Sequence, residues 1–261
     1  MIIYYLSIFI FGLIVGSFLN CVIYRLEKKE SFLRGRSYCP HCKHPLAWYD
    51  LIPLLSFIFL RRRCRYCHKP ISWQYPIVEL AIGFLFALPL FSSPSQWEGE
   101  VWWGWFFYLL IACFLIIIFV YDLKHFTILD KVLIPAIILS VFYRVLELII
   151  NNQLSIINYF CAALGAAGFF LLIYLISKGK WIGFADVKLA ILLGLILGWT
   201  KIGLSLFLSF FIGAIIGIGL VVFSDKKFKS EIPFAPFLIT GALISLFWGQ
   251  GLINWYLSLI F

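Results

Sequence analysis

The sequence predicts an all-α fold, a polytopic membrane protein with about eight transmembrane helices and one small polar insert. Three observations predict it. Of 261 residues, 63% are hydrophobic and only 13% are charged, against roughly 25% charged in a soluble domain. The apolar residues fall in long runs, and runs of about 17–25 residues cross a bilayer as helices. The basic residues gather between the runs, eleven of them within residues 25–75. Amphipathic segments lying on a surface would not give this composition. The net charge of +9 is accounted for by that clustering, because Lys and Arg accumulate in cytoplasmic loops. No nucleic-acid partner is expected; the lipid bilayer is.

The first run, Ile2 to Tyr24, is too long and too rich in glycine for a signal h-region. It also lacks a basic start and a small-residue cleavage site, so it reads as a retained span. Gly16 and Ser17 allow a second helix to approach closely in lipid. Asn20, polar inside the span, is expected to hydrogen-bond that neighbour. Residues 25–75 then form a cytoplasmic insert holding Cys39, Cys42, Cys64 and Cys67. Within it Leu51 to Leu60 is apolar but too short to span. It can pack on the membrane face or form a small core between the cysteine pairs. Residues 76–261 make up a multi-helix membrane domain, so the predicted division is 1–24, 25–75 and 76–261.

Further spans are expected near 76–91, 102–121, 131–150, 155–177, 186–200, 202–223 and 233–250, with 251–261 extending the last or lying in the interface. With the amino terminus outside, every Lys and Arg except Arg144 and Lys201 falls on the cytoplasmic side, the bias that sets topology. The loop 92–101, with Glu98 and Glu100, is then outside, as is Asn151-Asn152-Gln153. Trp102, Trp103 and Trp105 suit an interfacial aromatic belt. Asp122 ends the third span and Asp186 begins the sixth, so topology puts both at similar depth on the cytoplasmic side.

A carboxylate at the edge of an apolar segment is costly and marks function by default. Asp122, in Tyr121-Asp122-Leu123-Lys124, and Asp186, in Gly183-Phe184-Ala185-Asp186-Val187-Lys188-Leu189, are therefore the candidate catalytic pair. Two neighbouring carboxylates share a proton. The charged member activates a water, and the protonated one polarises a scissile carbonyl and protonates the leaving amine. The other reading is two unrelated helix-end carboxylates. A helix amino terminus favours Asp, which accounts for Asp186 but not for Asp122. Asp130 is expected to cap the fourth span. Lys124 and Lys188 either tune the pair or meet lipid headgroups.

Cys39-Pro40-His41-Cys42 and Cys64-Arg65-Tyr66-Cys67 are two C-x-x-C pairs. Together they offer the four thiolates of a closed structural zinc site. Two disulfides or redox pairs are the competing reading, which a cytoplasmic insert disfavours. Cys21, Cys113 and Cys161 lie in spans and read as packing residues. No dinucleotide-type glycine loop is present.

Taken in order, these motifs resemble the type IV prepilin peptidase family, membrane aspartic proteases of the G-x-G-D type. Gly12 to Arg25 is similar to its amino-terminal signature, and the cysteine pairs flank Pro45 to Ser56 in family style. Asp122 with Ile128-Leu129-Asp130 resembles the first catalytic region, Gly183 to Leu189 the second, and Ile232 to Leu238 the closing motif. Ala185 and Ala235 stand where the family usually has Gly. Alanine disfavours a positive φ, so the loop before Asp186 must differ if the family glycine needs one.

The resemblance implies a bacterial inner-membrane endopeptidase that cleaves type IV prepilins or pseudopilins after a glycine at the cytoplasmic face. It further implies S-adenosylmethionine-dependent methylation of the new amino terminus. Two readings from other classes compete: a proton-coupled transporter using intramembrane aspartates, and a membrane scaffold that docks partners through the cysteine module. Asp186→Asn discriminates, abolishing cleavage, stopping flux or changing little, respectively.

Overall fold

The computed structural model describes residues 2–31, 35–90, 102–151, 156–223 and 232–260. Glu98, Glu100, Asn152, Gln153, Lys226, Lys227 and Lys229, all used to orient the chain, lie outside them. The described residues form helices α1 (Ile2–Lys28), α2 (Leu55–Phe59), α3 (Gln74–Ala87), α4 (Trp102–His125), α5 (Asp130–Asn151), α6 (Ile156–Ser177), α7 (Phe184–Phe223) and α8 (Ala235–Ile260). Among the described residues no strand occurs beyond two isolated bridges, Tyr38 with Pro45 and Arg63 with Pro70. The all-α expectation therefore holds.

Among the described residues six helices are long and apolar enough to cross a membrane: α1, α4, α5, α6, α7 and α8. The segment expected near 76–91 is the 14-residue α3 with a 3-10 turn at Leu88–Leu90. The expected separate segments 186–200 and 202–223 are the two arms of α7, parted at Gly198 (φ 75°, ψ 175°) rather than at 201. Residues 251–260 continue α8.

The chain divides into two compact units, Met1–Ile117 and Ile118–Phe261. In the first, α1 and α3 run antiparallel. A Cβ on Gly12 would come within 2.8 Å of Gly83 Cα, and one on Gly16 within 2.7 Å of Glu79 Cα. Small residues let backbones meet this closely in lipid. Asn20 bonds the neighbouring helix as expected, donating to the Tyr75 carbonyl at 3.0 Å and accepting from Gln74 Nε2 at 3.3 Å.

In the second unit the two arms of α7 run in opposite directions. The arm 184–197 lies against α6, with Gly194 on the backbone of Ala162 and Ala163. The arm 199–223 lies antiparallel to α8, where Gly213 meets Phe237 and Ser245 Oγ donates to the Lys201 carbonyl at 2.6 Å. The reversal needs a backbone conformation that is essentially confined to glycine. It also exposes helix-end groups, which must find partners away from water. Arg144 of α5 donates to the carbonyls of Leu195 and Ile196 at 2.9 and 3.0 Å. Asn158 of α6 accepts the Trp199 N–H at 3.0 Å. Both sides of the break are thus satisfied.

Candidate active site and candidate metal centre

Asp122 lies in the last turn of α4 rather than beyond it. The helix stops at Phe126, whose left-handed φ of 56° turns its N–H onto the Asp122 carbonyl at 2.9 Å. Asp122 is 5% exposed, and its carboxylate lies beside the backbone N–H of Ala235, the first residue of α8. Asp186 stands in the first turn of α7 and accepts the Gly183 N–H at 3.1 Å. This is the carboxylate half of a capping box. Each carboxylate therefore sits at a helix amino terminus, where the macrodipole favours negative charge. The two are near enough for the charge of Asp122 to act on Asp186.

The sequence accounted for Asp186 as a helix-start acid and left Asp122 without a partner. The missing partner comes from the closing motif, whose Pro233-Phe234-Ala235 turn starts α8 against Asp122. Neither Ala185 nor Ala235 has a positive φ, so alanine fits at both positions without backbone strain.

Asp130 and Lys188 differ from expectation. Asp130 is the first residue of α5, and its two carboxylate oxygens take the Lys188 ammonium at 2.8 and 2.9 Å. This pair ties the second turn of α7 to the start of α5, with the ammonium also over the Phe184 ring at 5.6 Å. Arg144, an exception in the charge pattern, is 5% exposed and also pairs with Glu147 at 2.6 Å. Its position inside an apolar run was the available signal.

The four cysteines converge in the first unit. The sulfurs of Cys39, Cys42, Cys64 and Cys67 all lie within 4.8 Å of one another, and all are free thiols. The two halves repeat each other. The Cys39 N–H donates to the His44 carbonyl and the Cys64 N–H to that of Lys69. Lys43 and His68, each following a second cysteine, have φ of 59° and 56°. Burial pushes the Cys39 thiol up, but the backbone N–H groups of Cys42 and His41 outweigh it and bring it down to about 7. With metal–sulfur bonds of about 2.3 Å, tetrahedral ligands stand about 3.8 Å apart. Cys39 and Cys67 Sγ are 3.9 Å apart, so the group fits one tetrahedral metal ion.

Asp50 supports the second half. Its carboxylate, 2% exposed, takes Arg65 Nε at 2.8 Å, Tyr66 Oη at 3.1 Å and the Ala47 N–H at 3.2 Å. Arg65 and Tyr66 are the residues between Cys64 and Cys67, so the knuckle is clamped to the preceding loop.

Comparison with known proteins finds similar chains over nearly the whole length. The family model for the bacterial peptidase A24 N-terminal domain matches residues 10–92. That for the type IV leader peptidase family matches residues 109–218. Among curated relatives, the prepilin leader peptidase/N-methyltransferase of Aeromonas hydrophila is 31% identical over 98% of this chain and 94% of its own. That of Legionella pneumophila is 32% identical over 97% and 94%. That of Bacillus subtilis is 30% identical over 97% of each chain. No solved structure matches.

Proposed function

Because the chain belongs to the type IV leader peptidase family, we infer that it is a membrane-embedded aspartic endopeptidase. Its substrates are type IV prepilins or pseudopilins, whose leader it removes. What supports the assignment is that Asp122 and Asp186 lie in the same unit, near enough for the charge of one to act on the other, with Asp186 held by the Gly183 N–H and Asp122 beside the start of α8.

The two carboxylates act as one unit sharing a proton. The ionised member takes a proton from water as it attacks the scissile carbonyl. The protonated member donates to the carbonyl oxygen and then to the leaving amine. The Gly183 N–H holds Asp186 in place during this exchange, and the Ala235 N–H lies beside Asp122. The proton-coupled transporter reading gains no support from the relatives.

The relatives' names include N-methyltransferase, and the same second activity is proposed here, with S-adenosylmethionine as methyl donor. Cys39, Cys42, Cys64 and Cys67 are proposed to hold a structural zinc that stabilises the 25–75 insert. The protein is proposed to reside in the bacterial cytoplasmic membrane with the aspartates facing the cytoplasm, consistent with the distribution of Lys and Arg.

Incubation of purified protein with a prepilin-like substrate tests the reading. A product shortened by the leader supports it, with a further methyl mass when the methyl donor is added. An uncut substrate refutes it.

A further inference from the structure

We propose that residues 48–63 of the insert form a bilayer anchor whose ligand is an anionic phospholipid surface. Three observations lead there.

The segment carries large apolar side chains that no described part of the protein covers. Phe59 is 79% exposed, Trp48 77% and Ile58 64%, with Leu51 and Leu55 also exposed. Uncovered apolar chains clustered in this way mark an interaction surface.

The segment also sits deep along the membrane helices. Ser17 Oγ of α1 donates to the Leu51 carbonyl at 3.5 Å, and Ser17 lies about 12 Å further along the helix axis than Arg25, where the apolar run ends. The Leu54 N–H donates to Glu79 of α3 at 2.9 Å, about 7.5 Å inside Gln74, the start of that helix. Because α3 packs along α1 over the stretch from Gly12 to Asn20, these contacts place 51–54 inside the depth of the α1 span. Glu79 holds a strained turn there: Leu54 has φ 60° and ψ −49°, and the Leu55 N–H closes on the Pro53 carbonyl at 2.6 Å.

Charge identifies the lipid. Directly after α2 come Arg61, Arg62 and Arg63, all exposed, with Arg61 and Arg62 in left-handed turns that end the helix. The Arg62 guanidinium lies over the Trp73 ring at 5.7 Å. Apolar and aromatic chains beside a basic row match the acyl and headgroup layers of an anionic membrane. Each basic residue near such a surface strengthens attachment roughly fivefold.

The test uses the full chain in vesicles of phosphatidylcholine, with and without phosphatidylglycerol. A photoreactive benzoylphenylalanine is placed at position 59, at position 58 as a second site, and at position 69 on the second cysteine knuckle as a control. The expected result is a phospholipid adduct at 58 and 59, several-fold stronger with phosphatidylglycerol, and little at 69. The combined Arg61→Glu, Arg62→Glu, Arg63→Glu variant should remove the phosphatidylglycerol enhancement while helix content stays unchanged. No lipid adduct at either site, equal adducts in both lipids, or adducts to a second copy of the chain would overturn the proposal. Because the readout is lipid attachment, it fails or succeeds independently of prepilin cleavage.

Discussion

The Nε–H of Arg144 donates to the carbonyl of Leu195 at 2.9 Å, across 51 residues of sequence. With the neighbouring bond to Ile196, this closes the carboxyl end of the α7 arm whose first turn carries Asp186. The guanidinium also stacks over Tyr159 at 3.5 Å. Arg144→Met removes these partners and leaves Glu147 and two carbonyls unpaired. Breaking a buried pair from one side costs about 3–5 kcal/mol. Unfolding in detergent should show a loss of that order, and Arg144→Lys a smaller one.

Gly198→Ala tests the reversal itself. A Cβ there would sit 3.2 Å from Asn158 Nδ2 and 3.2 Å from Tyr159 Cε1, on a backbone with φ 75°. Strain of this kind costs about 1–3 kcal/mol, so the variant should unfold at lower temperature. Gly203→Ala, whose Cβ would meet nothing within 4 Å, should not.

The metal centre should respond to pH with a definite sign. The Cys39 thiol titrates near 7, below its ordinary 9. A lowered pKa contributes stability that is fully present above 9 and is lost as the pH falls through 7. Metal binding needs the thiolate, so zinc retention against a chelator should weaken as the pH drops below about 7. About one zinc per chain is expected at neutral pH, and Cys39→Ser or Cys64→Ser should release it.

Glu79→Ala removes the acceptor for the Leu54 N–H and leaves that strained turn without its anchor. Loss of such a buried partner costs about 1–3 kcal/mol. Hydrogen exchange should quicken at residues 51–56, and Glu79→Gln, which keeps a carbonyl oxygen, should show a smaller change.

Much of this was legible in the sequence because its signals are local. Apolar run length gave the helices, C-x-x-C spacing gave the cysteine cluster, and Asn20 inside a span implied a helix partner. What escaped depends on contacts between distant segments. Lys188 and Asp130 are 58 positions apart, so nothing near either residue announces their pairing, and Asp130 read as a cap. Asp122 appeared to follow its helix because the apolar run stops at Tyr121, whereas α4 continues to His125. The break in α7 was legible to within three residues, between 200 and 202 against Gly198, because in a stretch apolar on all sides run length marks a break that periodicity cannot place.

The most direct test of the central claim is prepilin cleavage by Asp122→Asn, Asp186→Asn and the double variant, each checked for folding and bound zinc. Groups that work as one unit are non-additive. Both single variants should therefore be inactive to a similar degree, the double no worse, and Asp130→Asn more active than either. The parent protein should show a bell-shaped pH–rate profile whose limbs belong to the pair. Substantial cleavage by a folded, zinc-loaded Asp122→Asn or Asp186→Asn protein would contradict the paired-aspartate account.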